Sequence, residues 1–192
     1  MGARTDGFSA NIELASLDGT DGFVINGYAG GDRSGQSVAN AGDVNGDGYA
    51  DLIIGSAGVA PLGRSFAGIS FVLFGHSPSS LFPDVDLDAF VTGAATGFKI
   101  IGAHANEWSG VTVHGAGDVN GDGVDDIAVG ALFHSSDSMG CVYMIFGHAA
   151  GDPFQDIDLS TFYADTRGFR VLSPDANSLF GSAIVALGDV NS

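Results

Sequence analysis

Short apolar runs, each bounded by glycine and aspartate, recur along the whole chain. Phe23–Ile25 and Leu52–Ile54 are typical, because β-branched or aromatic residues dominate them. Runs of the same kind are Ile69–Phe74, Ile127–Val129 and Val142–Phe146. Such runs are too short for helices and have turn residues at both ends, which favours strands. Helix-like patterns occur only near 12–17 and 87–92, each about one turn long. The pattern predicts an all-β fold.

The segments between these runs repeat in order. Gly42–Gly48 returns as Gly117–Gly123 and begins a third time at Gly188–Asn191. In step with them, the tripeptides Ile12–Leu14, Val85–Leu87 and Ile157–Leu159 correspond, and each precedes a Gly-Phe pair. The period is about 70 residues and holds four strands, which fits one blade of a β-propeller.

Composition narrows the classes of function. Hydrophobic residues make up 45% of the 192 residues, so the chain has material for a core and is not a disordered segment. The formal net charge of −17 repels phosphate groups, so we expect no binding to nucleic acid or anionic lipid. Cationic partners and metal ions fit this charge better. The single cysteine, Cys141, excludes an internal disulfide and a cysteine-based zinc site.

Nothing in the sequence predicts insertion into a membrane. No apolar run reaches the roughly 18 residues that span a bilayer. Met1–Leu14 lacks the basic and apolar regions of a signal peptide, so either export is absent or its signal lies outside this chain.

Two acidic nonapeptides place oxygen-bearing side chains at positions 1, 3, 5 and 9. The side-chain ligands predicted are Asp43, Asn45, Asp47 and Asp51 in the first copy, and Asp118, Asn120, Asp122 and Asp126 in the second. The backbone carbonyl at position 7, Tyr49 or Val124, completes each set. Alternating short oxygen ligands with glycine turns wrap a hard cation, and the all-oxygen set argues for Ca²⁺ over zinc or copper. The sequence therefore predicts two complete Ca²⁺ sites.

Two other kinds of loop are rich in Asp, Asn and Gly. An EF-hand would need a bidentate glutamate at position 12, where Ile54 and Val129 stand inside apolar runs. The loops therefore join strands rather than helices. The second alternative is a hairpin turn rich in Asp, Asn and Gly that binds no metal. In the third copy Asp189 and Asn191 supply only two ligands, so we expect that site to be empty.

These residues resemble the FG-GAP repeats that build the β-propeller of integrin alpha chains and occur in many bacterial surface proteins. Phe180-Gly181 keeps the first dipeptide of that pattern, while Gly35 and Gly110 keep only its glycine. Gly55–Ala57 and Gly130–Leu132 are relaxed forms of its closing Gly-Ala-Pro. The resemblance covers nearly all of residues 8–192, and the metal loop is its most specific part.

The resemblance implies a partial propeller of about two full blades of four antiparallel strands, plus two orphan strands. The segments expected are a lead-in at 1–22, an orphan outer strand and loop at 23–36, a first blade at 37–102 with Ca²⁺ loop 43–51, a second blade at 103–172 with Ca²⁺ loop 118–126, and the start of a third blade at 173–192. Within these, the orphan strands are expected near 23–28 and 182–188. A closed propeller needs roughly four to eight blades. Either the chain belongs to a longer polypeptide, or copies self-associate through open blade edges.

Integrin-like propellers bind partners on the face opposite the metal loops, and the resemblance gives candidate contacts there. They are Arg33, Arg64, His104, Trp108, His134 and Asp137. The alternatives are packing between blades for Trp108 and ordinary solvated charge for Arg33 and Arg64.

No catalytic constellation is predicted. A Gly-x-Ser-x-Gly elbow is absent from the sequence, and no histidine has the carboxylate or cysteine spacing of a metal site or triad. A paired-carboxylate glycosidase site could lie among Asp84, Asp86, Asp88, Asp156 and Asp158. However, Asp86 and Asp158 are repeat equivalents, which favours a structural turn. His76 and His148 are also equivalent, which favours a repeated structural role.

The sequence therefore predicts a non-enzymatic, calcium-binding propeller segment of an extracellular or cell-surface protein. Its role would be adhesion or ligand binding, with a protein or glycan partner that the sequence does not name. Two alternatives stay open. One is an accessory propeller of a secreted hydrolase or lyase, of phospholipase or polysaccharide lyase type. The other is a purely structural spacer.

Overall fold

Short strands build almost all of the regular structure. A computed structural model describes residues 17, 19, 22–77, 80–134, 139–149, 154–162 and 167–186. The strands there are β1 Ile25–Asn26, β2 Ser37–Gly42, β3 Asp51–Ser56, β4 Ile69–Leu73, β5 Val85–Asp86, β6 Gly97–Ile101, β7 Thr112–Gly117, β8 Asp126–His134, β9 Met139–Ile145, β10 Ile157–Asp158 and β11 Gly168–Leu172. A 3-10 turn, Pro61–Gly63, joins β3 to β4. The predicted all-β class is confirmed.

Two antiparallel four-stranded blades form the body of the structure. The first has strand order β2-β3-β4-β6, and the second has order β7-β8-β9-β11. The two central strands of the first blade are apolar on both faces, and all five residues of β4 are buried. Alternate residues of β3 point to opposite faces. Ile53 joins a core shared with the second blade, while Ile54 joins a separate core on the other face. The centre of the first blade is thus buried on both faces.

Glycine backbones set the distance between the blades. A Cβ built on Gly55 would lie 1.9 Å from the carbonyl oxygen of Gly110 in the second blade. At the equivalent place in the next repeat, a Cβ on Gly130 would lie 2.2 Å from the carbonyl oxygen of Gly181. No side chain fits at such separations, so the repeated glycines allow neighbouring sheets to approach at backbone contact.

Two short strands were not predicted. The sequence favoured a turn between the third and fourth strands of each blade. Instead, β5 pairs in parallel with β1, and β10 pairs in parallel with β6 of the preceding blade. The connection therefore leaves its own blade and covers the outer strand of the blade before it. No helix forms over 87–92, where residues 88 and 89 form a turn.

The two orphan strands differ from their prediction. The outer strand expected at 23–28 is limited to β1, Ile25–Asn26, because its cover β5 is itself only two residues long. The inner strand expected at 182–188 is wrong for its described part, since residues 182–186 are not in a strand. In both full blades the first strand pairs with the strand after the metal loop. The described part of the chain contains no helix with the length and apolar character needed to cross a bilayer.

Candidate metal loops and the opposite face

The first acidic loop is organised by its own carboxylates. It joins β2 to β3, and it turns at Gly46 and Gly48, whose φ angles are +68° and +89°. Asp43 accepts backbone N–H groups at both carboxylate oxygens, from Asp47 at 3.0 Å and from Gly48 at 2.8 Å. The side-chain oxygen of Asn45 accepts the same Asp47 N–H at 3.0 Å. The side chains at loop positions 1 and 3, Asp43 and Asn45, therefore both accept the backbone N–H at position 5.

The second loop repeats each of these hydrogen bonds and adds one, from the N–H of Gly121 to Asp118 at 2.7 Å. Asp118 accepts N–H groups from Asp122 at 3.0 Å and Gly123 at 2.8 Å, and Asn120 accepts the Asp122 N–H at 2.9 Å. The amide of Asn120 donates to Asp122 at 2.9 Å, as Asn45 does to Asp47. Equal spacing in sequence thus produces equal geometry in two separate loops.

The ninth residue of each loop ties it to the end of the third strand. Asp51 accepts N–H groups from Val44 at 2.9 Å and Gly75 at 2.8 Å. Its counterpart Asp126 does so from Val119 at 2.8 Å and Gly147 at 3.0 Å. Burial raises the pKa of Asp51 to about 6, despite these hydrogen bonds, which favour the charged form. Burial also raises the pKa of Asp126.

The donor chemistry of both loops fits a hard cation, since every predicted side-chain ligand offers oxygen. Nevertheless, no group of three or more His, Cys, Asp or Glu side chains in the described residues is arranged to hold a metal ion. The carboxylates bind backbone amides instead. Tyr49 and Val124, predicted to supply carbonyls, donate their N–H groups to Asp47 and Asp122 at 2.9 Å. Calcium binding by these residues stays a prediction. Asp189 and Asn191 lie outside the described residues.

One residue that the sequence did not single out links the two loops. Asp125 accepts the N–H of Asp43 at 2.8 Å, and its own N–H donates to the carbonyl of Asp43 at 3.1 Å. The first loop has Ala50 at this position, so the motif itself gave no signal. The first ligand of one loop is therefore fixed by the neighbouring blade.

At the opposite end of the sheets, an arginine and two aromatic rings stack at the surface, with the central ring, that of Trp108, half-buried. The guanidinium of Arg33 lies 4.3 Å from the ring centroid of Trp108, and the rings of Trp108 and Phe66 are parallel with centroids 5.4 Å apart. Phe66 is 46% exposed and Arg33 is also exposed. All three residues have positive φ angles, between +51° and +60°. Three loops from two blades thus present one platform, which we call the aromatic stack.

Arg64 is not an open contact residue. Its guanidinium donates to both carboxylate oxygens of Asp158, at 2.8 and 2.7 Å, and to the carbonyl of Gly102. The pair lowers the pKa of Asp158 to about 2, chiefly through these hydrogen bonds. The candidate contact Arg64 therefore joins the loop before β4 to β10 of the next blade.

His134 is also buried rather than presented to a ligand. Its Nδ1 lies 2.8 Å from Glu107 Oε1, which also accepts the hydroxyl of Tyr143 at 2.7 Å. Glu107 is fully buried and its second oxygen accepts the N–H of His104 at 2.8 Å. Burial and the charge of Glu107 raise the pKa of Tyr143. We call Glu107, His134 and Tyr143 the buried triad.

Of the remaining candidate contacts, His104 is exposed and its ring lies 5.0 Å from that of His134. Asp137 lies outside the described residues. The face thus retains Arg33, Trp108 and His104 from the predicted set. Phe66 belongs to it although the sequence did not indicate so, since a lone aromatic in a glycine-rich loop gives no sign of its neighbours.

A family model of the FG-GAP repeat matches residues 34–73 and 109–138. This chain carries FG-GAP repeats. It is 33% identical to a phosphatidylinositol-glycan-specific phospholipase D from Bos taurus over 151 residues, which are 76% of this chain and 17% of that protein. Integrin alpha-11 from Homo sapiens is 36% identical over 101 residues, 52% of this chain and 7% of that protein. Integrin alpha-PS2 from Drosophila melanogaster is 31% identical over 137 residues, 67% of this chain and 9% of that protein. The chain thus spans a small part of each relative.

The FG-GAP blades account for the aspartates that could have formed a glycosidase pair. Asp84 accepts the N–H of Val24 at 2.8 Å, and its counterpart Asp156 accepts that of Lys99 at 3.0 Å. Asp86 and Asp158 lie in β5 and β10. The carboxylates of Asp84 and Asp156 thus hold neighbouring segments together, and Asp86 and Asp158 have structural places in strands rather than in the turn that the sequence favoured.

The two equivalent histidines of the FG-GAP blades are structural as well. His76 stacks on Phe82 with ring centroids 3.7 Å apart, and His148 stacks on Phe154 at 3.9 Å. Each histidine ring packs on its phenylalanine shortly after the third strand of its blade.

Proposed function

We propose that this chain is a calcium-binding FG-GAP propeller segment of an extracellular or cell-surface protein, and that it binds a protein or glycan ligand through the aromatic stack. The relatives support this setting, because they include integrin alpha chains and a phospholipase D specific for a glycan-bearing lipid. An accessory role beside a hydrolase is the second candidate, favoured by the phospholipase matches.

The observation that carries the ligand-binding role is the aromatic stack, in which Arg33 and Phe66 are exposed. Arginine and large aromatic side chains dominate the binding energy of interfaces, and rings offer a flat surface to sugars or side chains. Arg33 supplies a positive charge on a chain whose net charge is −17. The stack lies at the ends of the sheets away from the acidic loops, so a ligand there does not meet the carboxylates.

Binding is tested with the labelled chain on an array of immobilised glycans and extracellular matrix proteins. We expect signal at particular spots, reduced at least about tenfold in R33A and in F66A because each removes part of the stack. V119A is the matched control, since Val119 is 47% exposed but lies in a metal loop. Equal signal for F66A and V119A would exclude the stack as the binding surface, and no signal with any spot would favour a structural spacer.

Calcium binding rests on the two loops with equal hydrogen-bond patterns. A cation that binds only the folded chain stabilises it by about 2.7 kcal/mol per site when its free concentration is a hundredfold above Kd. We expect titration of metal-free chain with CaCl₂ to release or absorb heat at two sites, and chelation to lower Tm. D47N should remove the first site and D122N the second.

The control for the calcium experiment is D88N, which removes an exposed carboxylate outside both loops. Its calcium heat and Tm shift should equal those of the unaltered chain. Absence of calcium heat together with an unchanged Tm would show that the loops are metal-free turns.

A further inference from the structure

The loops that carry Arg33 and Trp108 occupy equivalent places in two successive repeats. Each loop leads from an outer strand, β1 or β6, to the first strand of the next blade. Residues 31–33 correspond to residues 106–108, because both sets precede their metal loop by the same number of residues. The guanidinium and the indole of the aromatic stack are therefore presented by the same position of the repeat.

An acidic side chain is buried directly before each of these two contact residues. Asp32 is 9% exposed and Glu107 is 0% exposed, although both lie in loops. Burying a carboxylate is unfavourable unless hydrogen bonds replace those that it makes with water. The partners of these two carboxylates therefore decide what they do. We call Asp32 and Glu107 the anchor acids.

The anchor acids make corresponding hydrogen bonds. Asp32 accepts the N–H of Ala29, three residues earlier, at 2.6 Å, and Glu107 likewise accepts the N–H of His104 at 2.8 Å. The backbone carbonyl of each anchor acid also accepts an N–H from the end of the second strand of its blade, at 2.8 and 3.2 Å. Each anchor acid thus ties its own loop to the adjoining blade.

The other carboxylate oxygen of each anchor acid has different partners. Asp32 Oδ1 accepts the N–H of Ser34 at 2.8 Å, within the same loop. Glu107 Oε1 instead contacts the side chains of His134 and Tyr143 in the buried triad, at 2.8 and 2.7 Å. Both oxygens of each carboxylate are therefore engaged, and neither acid can turn toward solvent without losing hydrogen bonds.

The backbone on both sides of each anchor acid lies in the left-handed region. The φ angles are +87° at Gly31 and +60° at Arg33 in the first loop, and +62° at Asn106 and +57° at Trp108 in the second. A residue with a side chain adopts this region at a cost in free energy, and it stays there only where its surroundings determine its conformation. The anchor acid lies between the two left-handed positions, and its hydrogen bonds supply that determination.

The third loop of this kind has no anchor acid. Ser178 stands at the equivalent position, and its hydroxyl accepts the N–H of Phe180 at 3.1 Å. The N–H three residues earlier, that of Asp175, donates to Ser173 instead, at 3.2 Å. Leu179, the counterpart of the two contact residues, does not have a positive φ angle. The left-handed conformation of the contact residue thus accompanies the anchor acid.

We propose that Asp32 and Glu107 are positioning residues for the aromatic stack. Each anchor acid fixes the residue that follows it, Arg33 or Trp108, in the conformation that brings the guanidinium against the indole. The consequence for ligand affinity rests on the proposed function, whereas assembly of the stack does not depend on any ligand. A ligand on the stack would touch neither carboxylate, yet its affinity would depend on both.

The emission of Trp108 tests the positioning without a ligand, because Trp108 is the only tryptophan of the sequence. We expect D32A to release the loop of Arg33 and uncover one face of the indole. The emission should then shift to longer wavelength and acrylamide should quench it more strongly. R33A, which removes the guanidinium itself, sets the size of the shift. D32N keeps one acceptor oxygen and should give a smaller shift than D32A.

The matched control is S178A, which removes the equivalent side-chain acceptor from the third loop and should leave the emission unchanged. E107A should shift the emission as D32A does, since it releases the loop of Trp108 itself. Because E107A also opens the core, D32A decides the outcome if E107A does not fold. Emission of D32A equal to that of S178A would overturn the proposal.

Binding separates this proposal from the ligand-binding role of the stack. On the array of glycans and matrix proteins, D32A should lose signal by at least about tenfold, as R33A does, while S178A keeps it. Full binding by D32A beside weakened binding by R33A would overturn the positioning role and leave the ligand-binding surface intact. If the unaltered chain binds no spot while D32A still shifts the emission, the positioning role holds and the proposed function fails.

Discussion

The variant G55A is expected to lose about 3 kcal/mol or more of the free energy of unfolding, a large share of what holds a domain of this size together. The added methyl would lie 1.9 Å from the carbonyl oxygen of Gly110, which is backbone and cannot rotate away. The two blades must therefore separate, and the core that Ile53 shares with the second blade loosens. Urea denaturation followed by circular dichroism measures the loss.

G30A is the matched control for this prediction. Gly30 has no heavy atom within 4 Å of a built Cβ and no positive φ, so its substitution should leave the unfolding midpoint nearly unchanged. G130A, at the equivalent contact with Gly181, should behave like G55A. If G55A and G30A had the same midpoint, backbone contact between blades would not set their packing.

Replacing Glu107 with alanine should cost about 3–5 kcal/mol, since breaking a buried charged network leaves its polar partners without compensation. The imidazole of His134 and the hydroxyl of Tyr143 would both lose their shared acceptor, and the N–H of His104 would lose the other carboxylate oxygen. Y143F removes only one of these hydrogen bonds and should cost about 1–2 kcal/mol.

The comparison for E107A is D88A, which removes an exposed carboxylate and should change stability by less than about 0.5 kcal/mol. Chemical denaturation of the four chains gives the order directly. A cost for E107A no greater than that for D88A would mean that the buried triad does not hold the second blade to the loop at 104–109.

Local pattern predicted the strands of both blades and that each acidic loop joins two strands, because short apolar runs bounded by glycine and aspartate are determined within a few residues. The partners of Arg64 and Glu107 could not be predicted. Asp158 is 94 residues from Arg64, and His134 is 27 residues from Glu107. A charge in a loop gives no sign of whether a neighbouring blade will supply its counter-ion.

The short strands β5 and β10 were missed for a related reason. A two-residue strand is too short to leave a periodic pattern, and its partner lies in another repeat. The correspondence of Val85–Leu87 with Ile157–Leu159 was visible in the sequence, but it favoured a turn. The repetition indicated that the segment has a structural role. The fold shows that this role is to pair with the outer strand of the preceding repeat.

Because β10 pairs with β6 of the preceding blade, one repeat of the sequence does not coincide with one cooperative unit of folding. A sequence repeat ends with its outer strand, yet that strand is not closed until the next repeat has folded over it. Stability should therefore follow a nearest-neighbour law, in which each added blade contributes its own term and completes the blade before it. A chain of such blades would fold and unfold as a linear array, with the least protected hydrogen exchange at whichever end lacks a successor.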